Sequence, residues 1–165
     1  MPTYNRFCLQ PSPPGQPTGV PHPQGMAVTG PVLEVQIEIP SVLAQSLQAA
    51  NSPIPNSVTG IALIDTGASI TSIDVSIATR LGLNPNGIAM VGTAGGAQQQ
   101  PTYQARLSFP GTALPGFEHP KVLGCNLTGQ MVMNQQPIIA LIGRDYLLHC
   151  VFVYSGGAGA WSLSF

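Results

Sequence analysis

The apolar run Ile61-Ala62-Leu63-Ile64 leads straight into Asp65-Thr66-Gly67-Ala68 and leaves through Ser69, and this junction narrows what the chain can become. A strand that apolar belongs in an interior, yet it ends on a carboxylate. A buried charge is costly unless it is paired or put to use. The Asp-Thr-Gly sequence occurs once in the 165 residues, so chemistry that needs two such acids must find the second outside this chain. The plain alternative is a structural aspartate in a turn, a setting that suits Asp and Gly.

Charged residues make up 7% of the chain, where roughly 25% is usual, while the hydrophobic share is an ordinary 44%. Gln, Asn, Ser, Thr, Gly and Pro take the place of the missing charge. A surface so weakly charged repels other copies poorly, which favours association. Five Lys and Arg and a net charge of −1 leave no basic patch to neutralise phosphates, which argues against nucleic acid. The apolar runs are too short to cross a bilayer. Residues 1–10 lack a basic segment followed by an apolar one, so no signal peptide is expected. Cys8, Cys125 and Cys150 follow no ligand spacing and read as free thiols in a reducing compartment, with the cytoplasm as the expected location. The Asn126-Leu127-Thr128 sequon carries no weight without secretion. His22, His119 and His149 are scattered, and no metal or cofactor is expected.

Residues 1–30 carry prolines at 2, 11, 13, 14, 17, 21 and 23 and read as a flexible tail. Pro11–Pro14 and Pro14–Pro17 fit PxxP, a possible ligand for a proline-binding domain, against the simpler reading of a linking tail. From Pro31 the pattern changes. Val32, Val35, Ile37 and Ile39 interleave with Glu34, Gln36 and Glu38 in near alternation, the period of a half-buried strand. A short helix is expected over 41–50, a loop at Pro53 and Pro55, an interior strand over 58–64 and a short β-compatible stretch over 70–73. Asp74 sits where a cap belongs, ahead of a helix over 75–81 stopped by Gly82. Ile88–Val91 and the strand running to Phe109 flank Gly92–Gly96, a mobile glycine-tipped hairpin. That glycine stretch precedes a strand rather than a helix and lacks a Lys-Ser/Thr pair, so it is not a phosphate loop. Beyond it come a loop over 110–120, a short strand at Val122-Leu123 and a poorly determined stretch to Pro137. The apolar strand Ile138–Ile142 ends at Gly143-Arg144-Asp145. A helical turn over 146–149 and strands over 151–154 and 161–165 complete an all-β barrel-like or sandwich-like domain.

An apolar strand plus Asp-Thr-Gly-Ala, a glycine-tipped hairpin, then an apolar strand plus Gly-Arg-Asp with a short helix form a specific order. In that order the chain resembles the retropepsin-like aspartic proteases, single-domain relatives of pepsin. The resemblance covers residues 31–165 and implies a closed β-barrel of the acid-protease fold with one or two short helices. It implies an aspartic endopeptidase acting on extended peptide or protein segments, in which Asp65 pairs with Asp65 of a second copy across a homodimer axis. Asp65, Thr66 and Gly67 would form the catalytic loop, with Thr66 bonding across the axis. Ala68 and Ser69 would line the cleft, and Thr93, Ala94, Gly95 and Gly96 would belong to a flap closing over substrate. Gly143, Arg144 and Asp145 would support the loop, and residues 161–165 would enter the dimer sheet. Ser69 stands where viral members carry an acid that pairs with the arginine, leaving Asp74 or Asp145 as candidate partners of Arg144. The 30 residues before the first strand also argue against dimerisation through a free N-terminal strand. A rival reading keeps the fold and makes it a peptide- or protein-binding module without activity.

Overall fold

The computed structural model describes residues 2–9, 22–93, 96–132 and 136–165. Regular structure begins earlier than the proline content suggests. Thr3–Phe7 forms strand β1, and Pro23–Thr29 forms helix α1. The expected tail over residues 1–30 is therefore corrected at both ends, while 10–21 lie outside the described residues. Thr3, Tyr4 and Phe7 are strong strand formers that precede the proline cluster. Tyr4 packs on Trp161 with ring centroids 5.4 Å apart. Proline at the first turn and His22 Nδ1, which accepts from the Gly25 amide at 2.9 Å, start α1. The helix buries Met26 to 1% exposure, which anchors it to the core.

The remaining elements follow in order: β2 (Val32–Glu38), α2 (Ser41–Ala49), β3 (Val58–Ile64), β4 (Ser72–Asp74) and α3 (Val75–Arg80). After them come β5 (Gly87–Thr93), β6 (Gly96–Ser108), β7 (Phe117–Cys125) and β8 (Ile138–Ile142). Helix α4 (Arg144–Leu147), β9 (Val151–Ser155), a 3-10 turn over Gly156–Ala158 and β10 (Ala160–Ser164) complete the chain. Among the described residues α2 and α3 stand where short helices are expected, the helical turn expected over 146–149 is α4 and starts two residues early, and α1 is added in the supposed tail.

The strands order as β2-β3-β8-β4-β7-β6-β5, and β2 also pairs with β6 through Gln36↔Ser108 to Glu38↔Arg106. That pairing closes six strands into a barrel and leaves β5 hanging from the first half of β6 as a hairpin. Inward residues such as Val35, Ile37, Ile73, Leu107, Val122 and Ile142 are almost wholly buried. Each contributes roughly 1.5–3 kcal/mol by leaving water. A separate three-stranded sheet, β1-β10-β9, joins the two ends of the chain, with Thr3↔Ser164 to Phe7↔Ala160 in antiparallel register.

The strand expected at Val122-Leu123 is longer, taking in residues assigned above to a loop. Its register against β6 shifts between Val122↔Tyr103 and His119↔Ala105, so Pro120 and Lys121 fall in a bulge. A bulge is a place where a strand tolerates proline, which has no amide to give to the ladder.

Candidate active site

The strand order itself builds the site. β3 runs parallel to β8, with Ile64 opposite Ile142, and β4 lies antiparallel on the far side of β8. The chain leaving β3 must therefore pass over the end of β8 to reach β4. Residues 65–71 make that crossing, and Gly143-Arg144 come up beneath them. The Asp65 amide donates to the Ile142 carbonyl at 2.9 Å, and the Arg144 amide to the Ala68 carbonyl at 2.9 Å.

Two side chains fix the crossing. Arg144 Nη1 donates to the carbonyls of Thr66 at 2.6 Å and Gly67 at 3.0 Å. This settles the question left by Ser69, because neither candidate acid takes the guanidinium. Asp145 instead accepts from the Thr71 amide, at 3.0 Å on Oδ1 and 2.9 Å on Oδ2. Its Oδ1 also accepts from the Thr71 hydroxyl at 2.7 Å and the Tyr146 amide at 2.9 Å. Thr71 Oγ1 accepts in turn from the Gly143 amide at 3.1 Å. At Gly143 a Cβ would stand 2.6 Å from the carbonyl carbon of Ile70 and 2.8 Å from the Thr71 nitrogen. Only glycine lets the two backbones approach this closely.

Asp65 is held more lightly. Its Oδ1 accepts from the Gly67 amide at 2.9 Å and the Ala68 amide at 3.2 Å. Among the described residues, Oδ2 has no partner and neither does the Thr66 hydroxyl. The sequence suggests a buried acid, but in the single chain Asp65 is half-buried and Thr66, Gly67 and Ser69 are exposed.

Asp65 opens on a cleft of about 430 Å³, with Gly67, Ala68 and Ser69 on its lining. Leu123 of β7 and Leu141 of β8 supply apolar wall, and the hairpin contributes Met90, Val91, Gly92 and Gln100. The hairpin backbone pairs Thr93 with Gly96, while Ala94 and Gly95 lie outside the described residues. Cys125 also lines the cleft. Burial pushes its thiol up to about 11, helped by the nearby negative Asp74, so the group is neutral at ordinary pH.

Asp74 itself takes no part in the cleft. It caps α3 through the Ser76 amide at 2.8 Å and the Ser76 hydroxyl, and it reaches the Leu127 amide at 2.7 Å. Burial alone would raise its pKa, but the bonds from Ser76 and Leu127 outweigh that and hold it below the usual carboxylate value.

Asp65, Gly67, Ala68 and Ser69 thus meet at one cleft, while Gly143, Arg144 and Asp145 lie behind the loop. Thr71 and Gln100 have no role in the sequence reading, and Cys125 reads there only as a free thiol. Thr71 carries a weak signal, as a hydroxyl residue just ahead of a short buried strand; the other two are placed by strand pairing alone.

A family model described as aspartyl protease matches residues 52–146, a span that contains the crossing loop, the hairpin and the Gly143–Asp145 corner. No curated protein matches the chain.

Proposed function

Because the chain belongs to the retropepsin-like aspartyl protease family, we propose that it is an aspartic endopeptidase active as a homodimer, with Asp65 of each copy forming the dyad. The observation that carries this reading is the state of Asp65. One oxygen is fixed by the Gly67 and Ala68 amides, and the other is free beside the cleft. A structural carboxylate would have both oxygens engaged, as Asp145 does. The exposed Thr66, Gly67 and Ser69 support a second copy seated against this loop, with the unpartnered Thr66 hydroxyl reaching across.

In such a pair the two carboxylates stand about 3 Å apart and share one proton, since both cannot ionise at that distance. The ionised Asp65 takes a proton from water as its oxygen attacks the scissile carbonyl carbon. The protonated Asp65 gives its proton to the carbonyl oxygen. The tetrahedral diol then collapses as a proton passes to the leaving nitrogen and the C–N bond breaks. Oδ1 keeps its amide bonds throughout, so the loop needs no rearrangement. The hairpin would close over an extended peptide, and the apolar walls would exclude water. The three free thiols support a reducing, cytoplasmic setting.

The test is a mixed peptide library offered between about pH 3 and 7 to the wild type and to Asp65→Asn. Cleavage by the wild type alone supports the reading, and equal cleavage by both proteins overturns it. Binding without cleavage by either would leave a peptide-binding module. Sedimentation tests the dyad separately, because a chain that stays monomeric at high concentration with a peptide inhibitor present cannot form it.

A further inference from the structure

The cleft beside Asp65 is unusual in what it lacks. Among the described residues Asp65 is the one acidic or basic side chain on its lining, apart from the thiol of Cys125, which is neutral. Ile70, Leu123, Leu141 and Met90 make its surface largely aliphatic. Against that surface stands one long hydrogen-bonding side chain, Gln100.

Gln100 lies on β6 opposite Ala89, in the half of the strand that belongs to the hairpin. It is half-buried, and its Nε2 donates to Oε1 of Gln98 at 3.5 Å, two residues away on the same face of the strand. Its Oε1 has no partner among the described residues. Gln100 thus presents an open acceptor and a second N–H donor beside aliphatic side chains, on a lining whose other polar side chains are the short ones of Asp65, Ser69, Ser72 and Cys125.

We infer that Gln100 determines specificity, and that the cleft takes an uncharged peptide segment with a carboxamide side chain, Gln or Asn, placed against Gln100 and aliphatic side chains against the walls. The inference rests on the endopeptidase reading for the position of the scissile bond. Its physical basis is complementarity. A second carboxamide offers one donor face and one acceptor face, matching what Gln100 leaves open. A carboxylate brings two acceptors and a charge with no counter-ion, and an ammonium brings a charge and no acceptor. Each uses only half of what Gln100 leaves open, and each gives up the hydration of a full charge for that one bond. An aliphatic side chain covers Gln100 and leaves its amide unsatisfied.

The experiment uses peptides that differ at one residue, carrying Gln, Glu, Lys or Leu in turn at each position flanking the cleaved bond. Two readouts are taken: kcat/KM with the wild type, and Kd by fluorescence anisotropy with Asp65→Asn, which keeps the cleft and removes the chemistry. At one position Gln should exceed Glu and Lys by about tenfold or more in both readouts. Gln100→Arg should invert the order in favour of Glu, a gain that a misfolded variant would not show, and Gln100→Leu should favour Leu. Equal handling of Gln, Glu and Lys, an order unchanged in Gln100→Arg, or no peptide bound at all would overturn the inference. If no cleavage depends on Asp65, the hydrolytic reading falls. The Kd ranking on Asp65→Asn still decides the role of Gln100.

Discussion

Two apolar strands lie side by side and parallel, and each is followed within three residues by an aspartate. β3 delivers Asp65 and β8 delivers Asp145 three residues past its end. Their environments differ sharply. Asp145 uses both oxygens on Thr71 and one also on Tyr146. Asp65 uses one oxygen on two amides of its own turn. The same residue type at the end of the same kind of strand is thus a structural tie in one place and an available acid in the other. The number of satisfied lone pairs separates the roles, since a carboxylate with all its acceptors engaged has none left for water or substrate.

Exchanging the two acids is the most severe test of that contrast. Asp65→Asn should lower hydrolysis by about a thousandfold or more and move the melting temperature by no more than about 3 °C. Asp145→Ala should destabilise the fold by about 3 kcal/mol in denaturant melts, because Thr71 and Tyr146 donors lose their acceptor. If both variants lost activity and stability together, the division of roles would not stand. Gly143→Ala comes next. Its methyl group would press on the backbone of Ile70 and Thr71, at a cost of about 2–3 kcal/mol measurable in the same melts. Arg144→Met probes the tie beneath Asp65. Loss of its bonds to Thr66 and Gly67 should reduce activity about tenfold through misplacement of the loop. The exposed arginine should contribute under about 1 kcal/mol to stability.

The smallest effect lies behind Asp145. His119 is buried with its Nε2 unpartnered among the described residues. Burial holds its pKa below the ordinary 6.5, although Asp145 and Glu118 pull the other way. The unfolded chain then binds a proton first as pH falls. Stability is full above about pH 6.5 and is lost as pH drops from there through the folded-state value. His119→Phe should flatten the fall in melting temperature between about pH 7 and 5. The separate loss from Asp74 should remain, because its lowered pKa confines that loss to pH below about 3.8.

The parts of the site that were legible in the sequence are local ones. Asp65 with its glycine turn and Gly143-Arg144 behind it each announce themselves within a few residues, as an apolar run broken by a motif. What escaped depends on which strands lie together. Gln100 sits in an unremarkable run of glutamines, and only the pairing of β6 with β5 brings it over Asp65's cleft. Thr71 becomes a buried tie only because β8 is inserted between β3 and β4. The prolines that follow hide the five residues of β1, and Pro120 hides most of β7, because it reads as a breaker when it occupies a bulge.

The pairing of β2 with β6 does more than shape a core. Once the barrel closes, β1, β9 and β5 are, among the described residues, the strands with a neighbour on one side only. Every other strand of the described chain is flanked on both sides for at least part of its length. With charged residues at only 7%, the surface offers little repulsion against stray β-pairing. Closure compensates by hiding most of the strand edges that such pairing would use. A foreign strand can add to this molecule at the hairpin or at the small sheet formed by its two ends, and a chain this sparing of charge remains open where an extended peptide or another copy would approach.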